Sequence, residues 1–205
     1  MYQPEKYQKN TLDFVKALIR EYPFAEIILQ GEELLATHIP ILIDEEADEF
    51  RLYAHIADHN PMKMHLRDGK EALLIFKGAD AYVSSSWYMD KDISTWDYSA
   101  VHINCKLKIQ SKDELIKSLK LLVHHFEQKQ SNPLEYKDLP REIIESHLPR
   151  ITGFWCEPFK IEGIGKWHQG FGKKDVENII SHLGTDKECP ANKRIISRLK
   201  DEHDL

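Results

Sequence analysis

The sequence predicts a mainly β fold, a six-stranded antiparallel barrel with helices at its periphery. After Pro23, short stretches rich in isoleucine, leucine, valine and aromatic residues alternate with turn-like segments such as Gly31–Glu33 and Asp68–Gly69. Few helical stretches stand between them, which favours an antiparallel meander or closed barrel over a parallel sheet. The 205 residues, 41% hydrophobic and 30% charged, suit one soluble globular domain or one domain with an appendage.

The first elements follow from caps and strand-like composition. Asn10 or Thr11 can cap a helix that runs to about Tyr22, and Pro23 ends it because the residue before a proline leaves the α region. Strands are then predicted at residues 25–30, 34–44, 50–56, 71–77, 81–84 and 100–109.

The second half of the chain is predicted to be mostly helical. Ser111 and Glu114 form a capping box that opens a helix reaching about Gln128. Pro158 interrupts a strand predicted at 151–163, as expected of an edge or bulged strand. Further helices are predicted at residues 141–147, 173–183 and 191–199. A domain of residues 1–183 is expected, followed by a charged helical tail of residues 184–205 that packs weakly.

Charge and cysteine content bound the partners and the compartment. The formal net charge is −6 and the basic residues are dispersed, which argues against direct contact with DNA. The three cysteines form no CxxC pair, so free, buried thiols in a reducing cytosol are expected. No signal-peptide core and no apolar run long enough to span a bilayer is found, which predicts a cytoplasmic protein without membrane contact.

The stretch Ala81–His102 is the strongest candidate for a ligand site. It holds Trp87 and Trp96 together with three tyrosines, although connecting segments normally favour small polar residues. Hydroxyl groups of Ser84 and Thr95 stand beside these flat faces, which suits a planar ligand with polar edges. The alternative is a long loop whose rings cover the core.

Metal, nucleotide and hydrolase signatures are weak. The chain has eleven histidines, but His55 and His59 straddle a strand end, and no HExxH or His/Cys cluster exists, so no metal site is predicted. The glycines between Gly163 and Gly172 fit neither a Walker A loop nor GxGxxG, and Ser84–Ser86 lacks the GxSxG elbow.

Several motifs in collinear order are similar to those of one family. AYVSSSWY at 81–88 and TWDYSAVH at 95–102 resemble the paired signatures of the PaiB-like family of FMN-binding transcriptional regulators. The resemblance extends from residue 1 to residue 183 through His38-Ile39-Pro40, His55-Ile56-Ala57 with Asn60-Pro61, and Lys166-Trp167-His168-Gln169. It implies an FMN-binding split barrel, a homodimer with flavin at the subunit interface, and a role in negative regulation of transcription.

The resemblance also implies which residues contact the cofactor. His55, Ile56, Ala57 and Asn60 correspond to the segment that meets the flavin phosphate and ribityl chain, although Asn60 before a proline can equally be an ordinary helix cap. The flavin ring is expected near Trp87 or Trp96. His38, beside Pro40, faces either the ligand or the solvent.

Lys166 and Gln169 match the Lys and Gln of the family pattern Lys-x-Ser-Gln-Asn and remain available to phosphate or ring carbonyls. The chain departs from that pattern in having His168 for the serine and Gly170 for the asparagine. It departs again at Asp97, where the family has asparagine in Thr-Trp-Asn-Tyr.

The leading interpretation is therefore a flavin-binding regulator. The alternative is a flavin-dependent oxidoreductase that uses reduced FMN on a small substrate, since split barrels of this kind include oxidases and flavin reductases. His102 is the best proton donor that the sequence offers for such a reaction. Haem binding through a histidine is a third interpretation.

Overall fold

The computed structural model of the protein describes residues 1–90 and 92–205. These residues form five α-helices and seven β-strands, with short 3₁₀ turns between them. In chain order the elements are α1 Leu12–Glu21, β1 Phe24–Gln30, β2 Leu34–Pro40, β3 Leu42–Ile43, β4 Leu52–Ala57, β5 Glu71–Val83, β6 Thr95–Ile109, α2 Lys112–Glu127, α3 Arg141–His147, β7 Ile151–Lys166, α4 Lys173–Leu183 and α5 Pro190–His203.

The strands form one sheet in the order β2-β1-β5-β6-β7-β4-β3. The pairs of β1 with β2 and β5, and of β4 with β3 and β7, are antiparallel. The mainly β, antiparallel prediction is confirmed. The six-stranded barrel is not: the sheet has seven strands, and β2 and β3 are its two outer strands in the part of the chain that the structure describes.

Local packing explains where the strands differ from their predicted bounds. Residues 71–77 and 81–84 are predicted as separate strands, but β5 runs from Glu71 to Val83. Gly78 fits inside it at a place where a side chain would overlap Ser99 of β6. A glycine inside a strand often marks such a close approach. β7 also continues through Pro158, which lies beyond Cys156, the last residue that pairs with β4.

The chain divides into two compact units. The first unit comprises Met1–Tyr22, Phe76–His102 and Glu162–Leu205, and the second unit comprises Pro23–Ile75 and Ile103–Ile161. In the first unit the apolar faces of α4 and α5 share a core with the end of β5 and with Trp167. In the second unit Tyr53 of β4 packs edge-on against Trp155 of β7, with ring centroids 6.1 Å apart.

The C-terminal tail packs firmly within the first unit. Ile195 and Leu199 of α5 are buried in its core. His203 Nε2 lies 2.9 Å from the Trp167 carbonyl oxygen, and Glu202 pairs with Lys9 at 2.7 Å. The expectation of weak packing for this tail is wrong. Although most residues of α5 are charged or polar, Ile195 and Leu199 lie on one face of the helix and are buried.

Two further expectations concern thiols and membranes. Cys105 and Cys156 are free and buried, as predicted, whereas Cys189 is only half-buried. Within the described residues, none of the helices combines the length and the apolar character that a membrane span requires.

Candidate functional site

In the second unit, the end of β4 presents three of the predicted residues. His55, Ile56 and Ala57 pair in register with Gly153, Thr152 and Ile151 of β7. Ile56 is buried, so its side chain supports the strand. His55 is half-buried, and desolvation lowers the pKa of its imidazole, which favours the neutral ring.

Asn60 begins the 3₁₀ turn Pro61–His65 that follows β4. Its Oδ1 accepts a hydrogen bond from the Met62 N–H at 2.9 Å, so the side chain acts as a cap. Its Nδ2 donates to Thr37 Oγ1 at 3.4 Å. An amide nitrogen has two hydrogens, so a capping Asn60 still retains a donor for a ligand.

His38 lies on the solvent side of β2. Its imidazole stacks on Phe24 at a centroid distance of 6.1 Å, and its Nε2 is 3.4 Å from Glu26 Oε1. Both Phe24 and His38 are exposed in the single chain. The position agrees with the solvent-facing alternative and leaves the ring accessible.

In the first unit, the two tryptophans of the aromatic stretch have different environments. Trp87 belongs to the 3₁₀ turn Ser85–Trp87, which Ser84 caps, and it stacks on His182 of α4 at 4.9 Å with an interplanar angle of 5°. Trp96 is 53% exposed and packs edge-to-face with Tyr82, at a centroid distance of 5.8 Å. Trp87 therefore covers the core, whereas about half of the Trp96 side chain is exposed. Lys91, within this stretch, lies outside the described residues.

Lys166 and Thr95 come together, and both were predicted as site residues. The Lys166 ammonium donates a hydrogen bond to Thr95 Oγ1. They line a cleft of about 200 Å³ whose other walls are Tyr7, Ile93, Ser94, His168 and Phe171. An ammonium group has three N–H donors, so Lys166 can also bind a ligand in this cleft.

Gln169 uses its amide within its own turn. Its Oε1 accepts the Trp167 N–H at 2.8 Å, and its Nε2 donates to the Gly165 carbonyl at 2.8 Å. The Nε2 group keeps a second hydrogen, but the two bonds hold the amide in place within the turn, so the geometry assigns Gln169 first to the shape of the turn.

A chain of three side chains beside the cleft was missed by the sequence analysis. Asp97 on β6 is fully buried, and its Oδ2 lies 2.7 Å from His168 Nδ1. The other ring nitrogen of His168, Nε2, lies 2.8 Å from the Tyr88 hydroxyl. Asp97 and His168 are two of the three positions at which the chain departs from the family patterns, and these departures could have marked them as candidates. Their contact is visible only in the fold.

Burial sets the electrostatics of this chain. It raises the pKa of the Asp97 carboxyl, an effect that the hydrogen bond and charge of His168 and the charge of Lys166 oppose. Asp97 Oδ1 is buried without a hydrogen-bond partner in the described structure. Burial, with the Asp97 charge next in weight, raises the pKa of the Tyr88 phenol to about 12.

Two further candidates from the sequence are a metal site and His102. The described residues contain no group of three His, Cys, Asp or Glu side chains arranged to hold a metal ion. His102 lies within β6 and is half-buried.

Two sequence comparisons bear on this arrangement. A family model described as "Putative FMN-binding domain" matches residues 1–157. The protease synthase and sporulation protein PAI 2 of Bacillus subtilis is 29% identical over 204 residues, which cover 98% of each chain.

Solved structures share the fold at low sequence identity. An FAD and haem binding protein from Mycobacterium smegmatis superposes with a TM-score of 0.62 at 15% identity, over 85% of this chain and 80% of the other. A flavocytochrome from Azotobacter vinelandii gives a TM-score of 0.57 at 12% identity, over 83% and 75% of the two chains. At such identities the likeness concerns the fold alone, and it is a split-barrel-like fold.

Proposed function

The chain belongs to the PaiB-like family of FMN-binding domains, and from this premise we propose that it is a homodimeric FMN-binding regulator of transcription. The family match over residues 1–157 is the observation that carries the proposal. The FMN-binding domain is taken to span residues 1–183, and the protein to act in the cytoplasm. The regulatory part rests on the likeness to the sporulation protein PAI 2.

The donor set of this chain suits a flavin. FMN needs hydrogen-bond donors or cations for its phosphate and ring carbonyls, and a flat apolar face for its ring. Lys166 and Thr95 supply the polar contacts in the first unit, and Trp96 supplies the face. Asn60 and His55 at the end of β4 are the proposed phosphate and ribityl contacts.

We assign the remaining predicted residues conditional or supporting roles in FMN binding. His38 is exposed and would contact the cofactor only if the partner subunit brings the cofactor to β2. Ser84 and Trp87 shape the aromatic stretch, and Gln169 shapes the turn after β7, so we assign them supporting roles. When bound, a flavin supplies electron transfer, and the proposed role of these residues is to bind and orient it.

The binding test is a spectrum and a titration. We expect the purified protein, or the protein reconstituted at micromolar FMN, to show flavin absorbance and to quench flavin fluorescence on binding. Lys166→Met should weaken FMN binding by about tenfold or more, because it removes one charge-assisted hydrogen bond. Lys187→Met, an exposed lysine outside the proposed site, is the matched control. Absence of bound flavin after reconstitution would refute the proposal.

We expect the protein to regulate transcription without binding DNA directly. The net charge of −6 disfavours a phosphate-binding face, so we expect no DNA binding that falls steeply with added salt. A steep salt dependence on DNA that holds target promoters would contradict this part of the proposal while leaving FMN binding intact.

A flavin-dependent oxidoreductase remains the second candidate, favoured by one observation. The Tyr88 hydroxyl, bonded to the buried His168–Asp97 pair, is a better placed proton donor than His102. Rapid NAD(P)H consumption that requires bound FMN and a small acceptor would favour the enzyme over the regulator.

A further inference from the structure

We propose that Asp97, His168 and Tyr88 form a proton relay whose outer member, the Tyr88 hydroxyl, gives a proton to a bound molecule and recovers it from His168. The proposal goes beyond flavin binding and does not depend on it.

The geometry matches the general pattern of an oriented acid–base group. A hydroxyl within hydrogen-bond reach of an imidazole, which a carboxylate holds from behind, is the arrangement found where side chains move protons. Here the two bonds measure 2.8 Å to Tyr88 and 2.7 Å to Asp97. The Asp97 and His168 side chains are at most 1% exposed, so water does not compete for the inner bond.

Phe171 fixes the imidazole and the phenol against each other. Its ring lies 4.7 Å from that of His168 and 5.3 Å from that of Tyr88. It also lines the cleft that Lys166 and Thr95 share. Through His168 and Phe171, the relay therefore adjoins a volume that can hold a small molecule.

The direction of the hydrogen bond between His168 Nε2 and the Tyr88 hydroxyl depends on whether the Asp97–His168 pair holds one extra proton. When the pair lacks this proton, His168 carries hydrogen on Nδ1, facing Asp97, and Nε2 accepts the Tyr88 O–H. When the pair holds it, Nε2 carries hydrogen and donates to the Tyr88 oxygen, whichever group bears the charge. The phenol hydrogen is then free to point at a ligand.

The chemistry that follows is general acid catalysis. Because burial keeps the pKa of Tyr88 at about 12, the phenol stays protonated at neutral pH and acts as a donor rather than a nucleophile. Its proton passes to the substrate atom, its oxygen takes the Nε2 hydrogen, and solvent later restores one proton to the pair through Tyr88. Suitable acceptors are carbonyl, imine or quinone-type atoms that gain negative charge during a reaction.

The surroundings of the relay are mostly acidic. Among these neighbouring groups, the negative charge of Asp97 opposes loss of the Tyr88 proton most strongly. Asp92 and Asp175 act in the same direction, and Tyr82 has the smallest effect. Within the part of the chain that the structure describes, the charge of Lys166 acts on Asp97 in addition to that of His168. Among the described residues, Asp97 Oδ1 has no hydrogen-bond partner, which leaves the Asp97–His168 pair a strong acceptor for an extra proton.

The test is nuclear magnetic resonance of the full ¹⁵N-labelled chain, which reports the protonation of both ring nitrogens of His168. We expect hydrogen on Nδ1 and none on Nε2 when the ring is neutral. Asp97→Asn is nearly isosteric and places an amide donor against Nδ1, so the hydrogen should move to Nε2. Hydrogen on Nε2 in the neutral wild-type ring would overturn the proposal, and so would an unchanged tautomer in Asp97→Asn.

Solvent exchange of the Nδ1 hydrogen distinguishes a relay from a structural pair. If protons pass through the phenol, Tyr88→Phe should slow this exchange by about tenfold or more. Tyr2→Phe, a matched change on an exposed tyrosine of the same unit, should leave it as in wild type. A structural pair exchanges by local opening, so unchanged or faster exchange in Tyr88→Phe would overturn the proposal.

Discussion

At the scale of single residues, Asp97 shows what a buried charge demands of its neighbours. A carboxyl group buried near the start of a strand is costly unless another group bonds it, and His168 does so from 71 positions along the chain. The sequence prediction started this strand only at Ala100, because Asp97 breaks the apolar pattern. No local rule could reveal the pairing.

Residues whose roles are local were predicted well. Ser111 and Glu114 form the expected capping box, and Asn60 caps the turn after β4 as its alternative interpretation stated. Thr95 and Lys166 came from family motifs and lie bonded to each other. The uses of Trp87 and Gln169 depend on contacts with α4 and with a turn, which a motif does not encode.

His55 should make the stability depend on pH. Its pKa is lowered in the folded chain, so the unfolded chain binds the proton more readily, and stability is complete above the unfolded value near 6.5 and declines as pH falls below it. The decline is at most about 1.4 kcal/mol for each pH unit by which the two pKa values differ. In His55→Gln this component should disappear, as measured by urea unfolding at pH 7.5 and 5.5. An equal decline in the variant would contradict the prediction.

Gly163 should tolerate no side chain. A Cβ there would overlap the carbonyl oxygen of Lys9 and lie 3.1 Å from its carbonyl carbon, and backbone atoms cannot rotate away. Gly163→Ala should lower the free energy of unfolding by about 1–3 kcal/mol. Gly172→Ala, whose Cβ would meet Asp175 only at 3.9 Å, is the control and should cost less in the same urea titration. Equal losses in the two variants would show that the Lys9 contact is not the cause.

At the scale of elements, propensity found most strands but misplaced their ends. Strand β2 ends at Pro40 and β3 follows at Leu42, because the Ile41 N–H turns to the Pro23 carbonyl at 2.8 Å. The predicted single strand 34–44 is therefore two. The predicted strands left out residues 78–80, and Pro158 was predicted to interrupt a strand, whereas β5 and β7 continue through both places.

Helix α5 should be essential to the first unit. Leu199 is fully buried there, so Leu199→Ala should cost about 2–5 kcal/mol of unfolding free energy through lost burial and the cavity left behind. Lys200→Ala changes the neighbouring exposed residue and should cost under about 0.5 kcal/mol. Thermal and urea unfolding measure both. A small effect of Leu199→Ala would mean that the tail contributes little to the core.

At the scale of the whole molecule, a dimer is the expected assembly. A dimer interface could cover some of the large apolar side chains that are exposed in the single chain, among them Phe24, Ile93 and Trp96. Sedimentation equilibrium with FMN should give twice the 24.0 kDa chain mass. A mass of one chain with flavin still bound would refute the dimer and leave the cofactor proposal standing.

The route of the chain has a practical consequence for anyone who wishes to shorten it. The first unit is built from an N-terminal, a central and a C-terminal stretch, and the second unit from the two stretches between them. No single cleavage or truncation can therefore release either unit intact. Removing the sixteen C-terminal residues, Pro190–Leu205, would take away helix α5, which supplies part of the core of the first unit. Because stretches so distant must meet before either core closes, refolding from denaturant should be slow for a chain of this size.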